Sequence, residues 1–508
     1  MRFRITRVIN LPNIKLLCVV LIVLAVSFGV NIYNLYLSIG FDAFYFKNWS
    51  VDDVDEVWYH NQVKNFLELG IFSIDPSDPD YSYRRTPLFP LFVGIFREIF
   101  GEISYKPALS LAQTFLHTFA AYLFYKTLRN LDIDKFALFG ALIYGCNLHV
   151  ISFLFLSISE SFSVFFVTVS IFIFTAALRS RLKVTWVLLG LSCGLTALVS
   201  PRGGVVLLTS ISLLLTCRNH CDAIYIIRSK LFFVFLGFVI SLSPWVARNA
   251  FFSNQFIPLE TYYIHHSFGN EGLKNYRLYS WWQKWGDAKG HELHNSLTQL
   301  ETHNLQVFLS KWIDSKVPSW VIETNGRSNI EILLRDYVEC HLEVEKELGH
   351  KIRFSSQDQI PKCEYEIANR FGFYADQLVE QHPFKVIFLS NFIRLRAYMF
   401  NSTVHSLPDV AKGVTVFSFI IKSMGFLTNM LHFFMVFFGL LFYFKVPSLR
   451  YFLLPPLALI LYVLVVRHVE ARYLIQIYPF TLIIFLLLVE HLSPRDKLEV
   501  ELMSSAGK

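Results

Sequence analysis

LLCVVLIVLAVSFGV, residues 16 to 30, is a continuous apolar run with Ser27 its single polar residue. The span around it runs from Leu16 to about Leu37, and a bilayer-crossing helix needs roughly 20 such residues. In hydrocarbon, only a helix or a closed barrel satisfies its own backbone hydrogen bonds. A continuous run, rather than an alternating one, selects the helix. Similar segments recur near 107–127, 136–155, 161–178, 184–200, 203–217, 230–250, 449–466 and 472–490. Residues 86–100 (TPLFPLFVGIFREIF) form a short, proline-opened stretch not expected to cross, and 384–444 holds one crossing or three. Composition agrees. Of 508 residues, 54% are hydrophobic, 51 are phenylalanine and only 17% are charged, against about 25% charged in soluble domains. The chain reads as an all-α polytopic membrane protein with about 10 to 12 crossings.

The start, MRFRITRVINLPNIKLL, is basic and lacks a small-residue cleavage pattern, so it reads as a retained signal anchor. With that end cytoplasmic, Lys126, Arg129 and Lys135 fall inside, as do Arg179, Arg181 and Lys183, then Arg218, Arg228 and Lys230. The turn Lys445 to Arg450 and the tail after Pro494 follow them. The net charge of +7 is thus topological and calls for no nucleic acid partner. None of the seven cysteines forms a CxxC pair. Cys18, Cys146 and Cys193 lie in apolar spans as small hydrophobes. Cys340 and Cys363 lie in a polar region and can pair if it faces an oxidising compartment.

The same topology places a second set of groups on the outer face: DDVDEVWY (52–59), Arg84, Arg85, Glu160, Pro201, Arg202, Arg248, the segment 251–384 and HVEARY (468–473). Ionisable groups beside membrane spans are functional candidates. VDEVWYHNQVKNFLEL predicts an amphipathic interfacial helix, with Asp52 as N-cap, Asp55 as the capping-box acid and Gly70 as the stop. In RRTPLFP, two arginines precede a proline-opened apolar stretch, and a planar guanidinium suits phosphate. Segment 251–384 is too long for a bare loop. It predicts a helix over 329–348 with Leu333, Leu334, Val338 and Leu342 on one face. Its aromatic run YSWWQKW (279–285) suits an acceptor groove or anchoring at the membrane interface.

Six motifs in order resemble the GT-C superfamily of polyprenyl-phosphate-sugar-dependent glycosyltransferases, in the branch of the protein O-mannosyltransferases and the lipid A aminoarabinose transferase. They are DEVWYHNQVKNFLELGIF (55–72), RTPLFPLFVGIFREIFG (85–101), SISESF around Glu160, SPRGG (200–204), PWVARN (244–249) and EARYLIQIYPF (470–480). The resemblance implies a GT-C-like transmembrane bundle with a large outer-face loop or small domain. It divides the chain into a catalytic module at 1–250 including the outer loop 38–85, an extracytoplasmic segment at 251–384, a membrane module at 385–490 and a cytoplasmic tail at 491–508. It makes Asp55 the essential carboxylate and Arg85 the lipid-phosphate ligand. Glu160 becomes a second acid, and Arg84, Arg248 and Arg472 become headgroup contacts. Asp53, Tyr59, Arg202, His468, Glu470 and Tyr473 complete the candidate substrate site. There are departures. Trp58 stands where the branch often has arginine, and Arg84 stands where the aminoarabinose branch has an acid. The latter leaves any metal built on that acid in doubt. No protein-bound metal is expected to be required, a divalent cation being the alternative, with His265 and His266 as weak candidates.

The implied reaction transfers one sugar from a polyprenyl-phosphate donor to a lipid, glycan or protein acceptor. Arginines stabilise the departing phosphate, and a carboxylate takes the acceptor proton. One base and one activated leaving group predict inversion at C1; retention would want a second, nucleophilic carboxylate. The resemblance implies a cell inner membrane and a role in envelope biogenesis, with the site facing the periplasm or exterior. The endoplasmic reticulum is the alternative location, but the sequons NWS (48–50) and NST (401–403) are too few to argue for it. Two rival readings are a transporter or flippase for a lipid-linked saccharide and a non-catalytic glycan-binding homologue. The charges sit at span ends, without the paired inverted repeats of transporters.

Overall fold

The computed structural model describes residues 11–39, 54–74, 76, 85–216, 221–253, 256–259, 272–286, 297, 305–348, 361–400, 416–466 and 471–493. Among them every regular element is helical, as the continuous apolar runs require. Two compact units emerge. One gathers Met1–Glu260, Asn401–Ile460 and Ala471–Lys508; the other is Thr261–Phe400 with Leu461–Glu470.

In the first unit, five helices among the described residues are long and apolar enough to cross a membrane: Ile14–Tyr33, Ser159–Arg179, Ile227–Phe252, Lys422–Leu441 and Leu474–Leu492. The protein is a multi-pass membrane protein. Lys183–Val199 and Leu449–Tyr462 are shorter apolar helices. Fewer helices qualify than the apolar stretches suggest, because several stretches are broken. The 136–155 stretch divides into Ala137–Gly145, Leu148–Ile151 and an irregular run. The 203–217 stretch opens on a 3-10 segment, Pro201–Leu207, and continues in two four-residue helices.

Irregular backbone at membrane depth is tolerated only where protein satisfies it. Gln113 does so, its amide donating to the carbonyls of Leu154 and Leu156 at 3.1 and 3.0 Å. Helix α1 (Leu11–Ile39) shows the complementary behaviour. It buries one stripe, Val23, Ser27, Asn31 and Leu35, and leaves much of its apolar surface exposed. The spacing of four puts these residues on one face, and Asn31 donates from that face to Thr114 at 3.1 Å.

Helix α2 (Val54–Leu69) takes the predicted bounds and ends at Gly70, whose φ of 70° suits the position after a helix. Helix α3 (Leu88–Asn130) carries one break, at Gly101 (φ 69°, ψ 173°). The arm before it, Leu88 to Phe100, is about 20 Å long at 1.5 Å per residue, short of the roughly 30 Å hydrocarbon layer. Helices α4 (Ser159–Arg179), α5 (Lys183–Val199) and α6 (Cys221–Ser253) follow. A Cβ at Gly190 would stand 1.9 Å from the Val234 carbonyl oxygen, and one at Gly237 2.1 Å from that of Val187. Small residues therefore let the backbones of α5 and α6 touch, the usual seam of membrane helices.

The second unit has a core of its own, formed by α7 (Gly272–Trp282), α8 (Leu305–Lys316), α9 (Arg327–Leu348), α10 (Lys362–Gln381) and the short helix Ser319–Asn325. Leu333, Leu334 and Val338 are buried on the predicted face of α9, whereas Leu342 is exposed. The aromatic run serves neither a groove nor an interface. Trp281, Trp282 and Trp285 are buried in this core with Trp312 and Trp320. Such large side chains supply the apolar area that a small helical unit needs. Cys340 and Cys363 are joined, with Cα atoms 5.9 Å apart, tying α9 to α10.

Candidate functional site

Asp55 falls in the first turn of α2, one helical turn before Tyr59, so positions 55 and 59 share a face. The Asp55 side chain lies outside the described residues. Tyr59 is buried, with its hydroxyl 3.0 Å from the Ser159 hydroxyl and its ring edge-on to Phe89 at 5.0 Å. The Tyr59–Ser159 bond joins the α2 face to the N-terminus of α4, where Glu160 follows directly, in the first turn and 4% exposed. The guanidinium of Arg85 stands over two rings of α2, 4.9 Å from the Trp58 centroid and 5.3 Å from that of Tyr59. The aromatic departure at Trp58 thus faces the basic residue of the next motif as a cation–π partner.

The neighbouring backbone closes the arrangement. Thr86 donates to the Val199 carbonyl at 3.1 Å, holding the Arg85 turn against the end of α5. Ser200 accepts from the Gln476 amide at 3.1 Å. That bond brings together the 3-10 segment Pro201–Leu207, which carries half-buried Arg202, and the 3-10 segment Ala471–Ile477. Arg472 and Tyr473 lie on the latter segment, their side chains outside the described residues. Gln113 fixes the approach to α4 from below, since its side-chain oxygen accepts from Ser161. Five segments remote in sequence therefore converge around Tyr59, Arg85 and Ser159–Glu160.

Arg248 has a different set of contacts. It donates to the Phe72 carbonyl at 3.1 Å and to Asn249 at 3.0 Å, and it stacks over Trp245 and Phe252. Trp245 donates to the Leu259 carbonyl and Asn249 to that of Ile257. Every polar side chain of PWVARN is thus engaged in pinning a nearby turn. Arg248 braces the turn that follows α2.

The sequence reading missed a network on another face of α2. Lys106 donates to Glu56 at 3.1 Å, and His60 Nε2 lies 3.7 Å from the same carboxylate oxygen. His60 Nδ1 and the Tyr105 hydroxyl are 2.7 Å apart. A carboxylate near Nε2 favours the proton there, leaving Nδ1 to accept from Tyr105. Burial, reinforced by Lys106 and Arg97, pushes the His60 pKa down to about 3. Burial and Glu56 push the Tyr105 hydroxyl up to about 12, against Arg97. Glu56 and His60, four residues apart, could have been read as one face. Their partners, some 45 to 50 residues away, carry no local signal.

Asp52, Asp53, Arg84, His265, His266, His468 and Glu470 lie outside the described residues. Among the described residues, no three His, Cys, Asp or Glu side chains gather as metal ligands.

No protein-family model matches the sequence, and no curated protein matches it. Solved structures do show a likeness. The apo oligosaccharyltransferase of Archaeoglobus fulgidus is 13% identical with a TM-score of 0.48, covering 96% of this chain and 52% of that one. AglB of the same organism, in complex with an inhibitory peptide and a dolichol-phosphate, is 11% identical at 0.45, covering 97% and 52%. ArnT from Cupriavidus metallidurans, bound to undecaprenyl phosphate, is 12% identical at 0.35, covering 93% and 77%. The chain spans about half the length of the archaeal enzyme. With TM-scores below 0.5, these likenesses fix neither family nor activity.

Proposed function

We propose that this chain is a GT-C-type glycosyltransferase that moves a sugar from a polyprenyl-phosphate donor to an acceptor on the outer membrane face, with inversion at C1. The convergence of Tyr59, Arg85 and Ser159–Glu160 carries the reading. Arg85 is the phosphate ligand, its guanidinium oriented by Trp58 and Tyr59. Charge grows on the phosphate as the bond to C1 breaks, and a preorganised cation stabilises that growth without reorganising. Arg202 and Arg472 sit on the two 3-10 segments that Ser200 and Gln476 join, and they serve the same headgroup. Asp55, on the Tyr59 face of α2, takes the proton of the acceptor hydroxyl, and Glu160 is the second acid of the site.

The Cys340–Cys363 bond supports an outer-face second unit, because disulfides persist in oxidising compartments. The decisive assay offers the purified chain, in nanodiscs, a panel of polyprenyl-phosphate sugars and follows release of polyprenyl phosphate. At least one donor is expected to turn over. Asp55→Asn should then lower the rate by about 10²- to 10⁴-fold while donor binding survives. Movement of intact donor between leaflets, with no release from any donor, would support a flippase instead.

A further inference from the structure

The second unit carries a helix with reversed polarity. Residues 383–399 form it, beginning with the π turn Lys385–Leu389 and continuing through Ser390–Met399. Its inward stripe is Val386, Ser390 and Arg394, which are 8%, 1% and 6% exposed. Arg394 donates inward to the Gln283 carbonyl at 3.1 Å and to the Ser390 hydroxyl at 3.3 Å. Its outward face holds Phe384, Phe388 and Phe392 at spacings of four, 71%, 60% and 62% exposed, with Ile387 beside them at 54%. A helix against water does the opposite, placing apolar side chains inside and charge outside.

We propose that this outward face lies among lipid acyl chains, so that the second unit enters the bilayer interface through residues 383–399. Three observations select lipid as the occupant. The chain already spans a bilayer elsewhere, so acyl chains are at hand. The phenylalanine row continues at the same spacing into exposed Arg396 and then Phe400. A cation at the end of an apolar row suits an interfacial helix whose charge reaches lipid phosphate. Finally, 17 residues span only about 26 Å, and Arg394 and Arg396 lie within them, so the helix lies along the interface rather than crossing. This inference does not depend on the glycosyltransferase reading.

The test uses the full chain in nanodiscs of phosphatidylcholine and phosphatidylglycerol. The five cysteines other than Cys340 and Cys363 are replaced by serine, and one nitroxide is placed at Phe388→Cys or Phe392→Cys. Val307→Cys is the control, a position of the same unit that is 73% exposed on α8. Oxygen partitions into hydrocarbon and a polar nickel chelate is excluded from it. The ratio of oxygen to nickel collision rates at 388 and 392 should exceed that at 307 by about tenfold or more. A ratio matching that at 307 would place the face in water and overturn the proposal. Low collision rates with both reagents would mean that protein covers the face, and would overturn it equally. If a label at 388 unfolds the unit, the label at 392 gives the same discrimination.

Discussion

Two ion pairs, one fully buried and one half-buried, stand in different surroundings. In the second unit, Glu364 accepts from Lys274 twice, from the backbone N–H at 2.9 Å and from the ammonium. Both residues are at most 1% exposed, and the ammonium stands 5.6 Å from the Tyr337 ring. Under α2, Glu56 pairs with Lys106 at 3.1 Å, with the side chains 6% and 21% exposed, beside His60, Tyr105 and Arg97. The first pair is sealed beside the Tyr337 ring, and burial lowers the Lys274 pKa against the pull of Glu364. The second sits on the helix that carries the candidate site and has a titrating neighbour. The difference separates a pair inside a core from one on the helix that carries the candidate site.

The largest effect should come from breaking the sealed pair. Glu364→Ala leaves an ammonium buried without its carboxylate and should cost about 3–5 kcal/mol, read as a lowered thermal midpoint in detergent. Replacing both partners, Lys274→Met with Glu364→Leu, should recover most of the loss, because buried pairs exchanged for apolar residues are often neutral. Turnover per folded molecule should not change. A turnover defect that survives restored stability would end the contrast.

Glu56→Gln should cost less, about 1.5–3 kcal/mol for a charge-assisted bond, because Lys106 keeps some access to water. Unlike the first, this change should also lower turnover, since Glu56 fixes the rotation of α2 and with it positions 55 and 59. The exchange Glu56→Lys with Lys106→Glu should restore part of both. Normal kcat and KM in Glu56→Gln would reduce this pair to a second structural staple.

Much of the fold was legible in the sequence, and the reasons are local. Residues 16–30 announce a span because no charge and only Ser27 among polar side chains interrupts them, and Gly70 stops α2 where a left-handed residue is needed. What escaped depends on distant partners. Nothing in YSWWQKW says that its tryptophans meet Trp312 and Trp320, so a core reads like a groove. Nothing in PWVARN says that its arginine reaches the carbonyl of residue 72. Part of the candidate site follows from local pattern: Arg85 stands over Tyr59, and Tyr59 bonds to Ser159 directly before Glu160, while Glu56 was passed over beside Asp55.

The network under α2 should also show in acid, where the sealed pair should not respond to the same change. The folded-state pKa of His60 is depressed from 6.5 to about 3, so the unfolded chain takes up the proton first as pH falls. Its contribution is fully present above pH 6.5 and is lost toward pH 3. Between pH 6.5 and 5.5 the loss should be about 1 kcal/mol. His60→Gln should flatten that part of the slope, measured as the thermal midpoint at a series of pH values. An unchanged slope would show that other groups control acid stability.

The smallest effect tests the Trp58 ring. Arg85 lies 4.9 Å from its centroid, and a cation–π contact of this kind contributes about 0.5–2 kcal/mol according to its desolvation. Trp58→Leu keeps an apolar side chain of helical propensity and removes the ring face. If the ring orients Arg85 for phosphate, the loss should appear as a rise in donor KM of about 2- to 30-fold, the same free energy expressed as an equilibrium constant. Acid slope and thermal midpoint should move little, because His60 and Glu56 point to another face of α2. Trp58→Tyr retains a π face and should recover part of the donor affinity, which simple loss of packing would not predict. A Trp58→Leu variant with unchanged donor KM but a lowered midpoint would assign the ring to packing rather than to orienting Arg85.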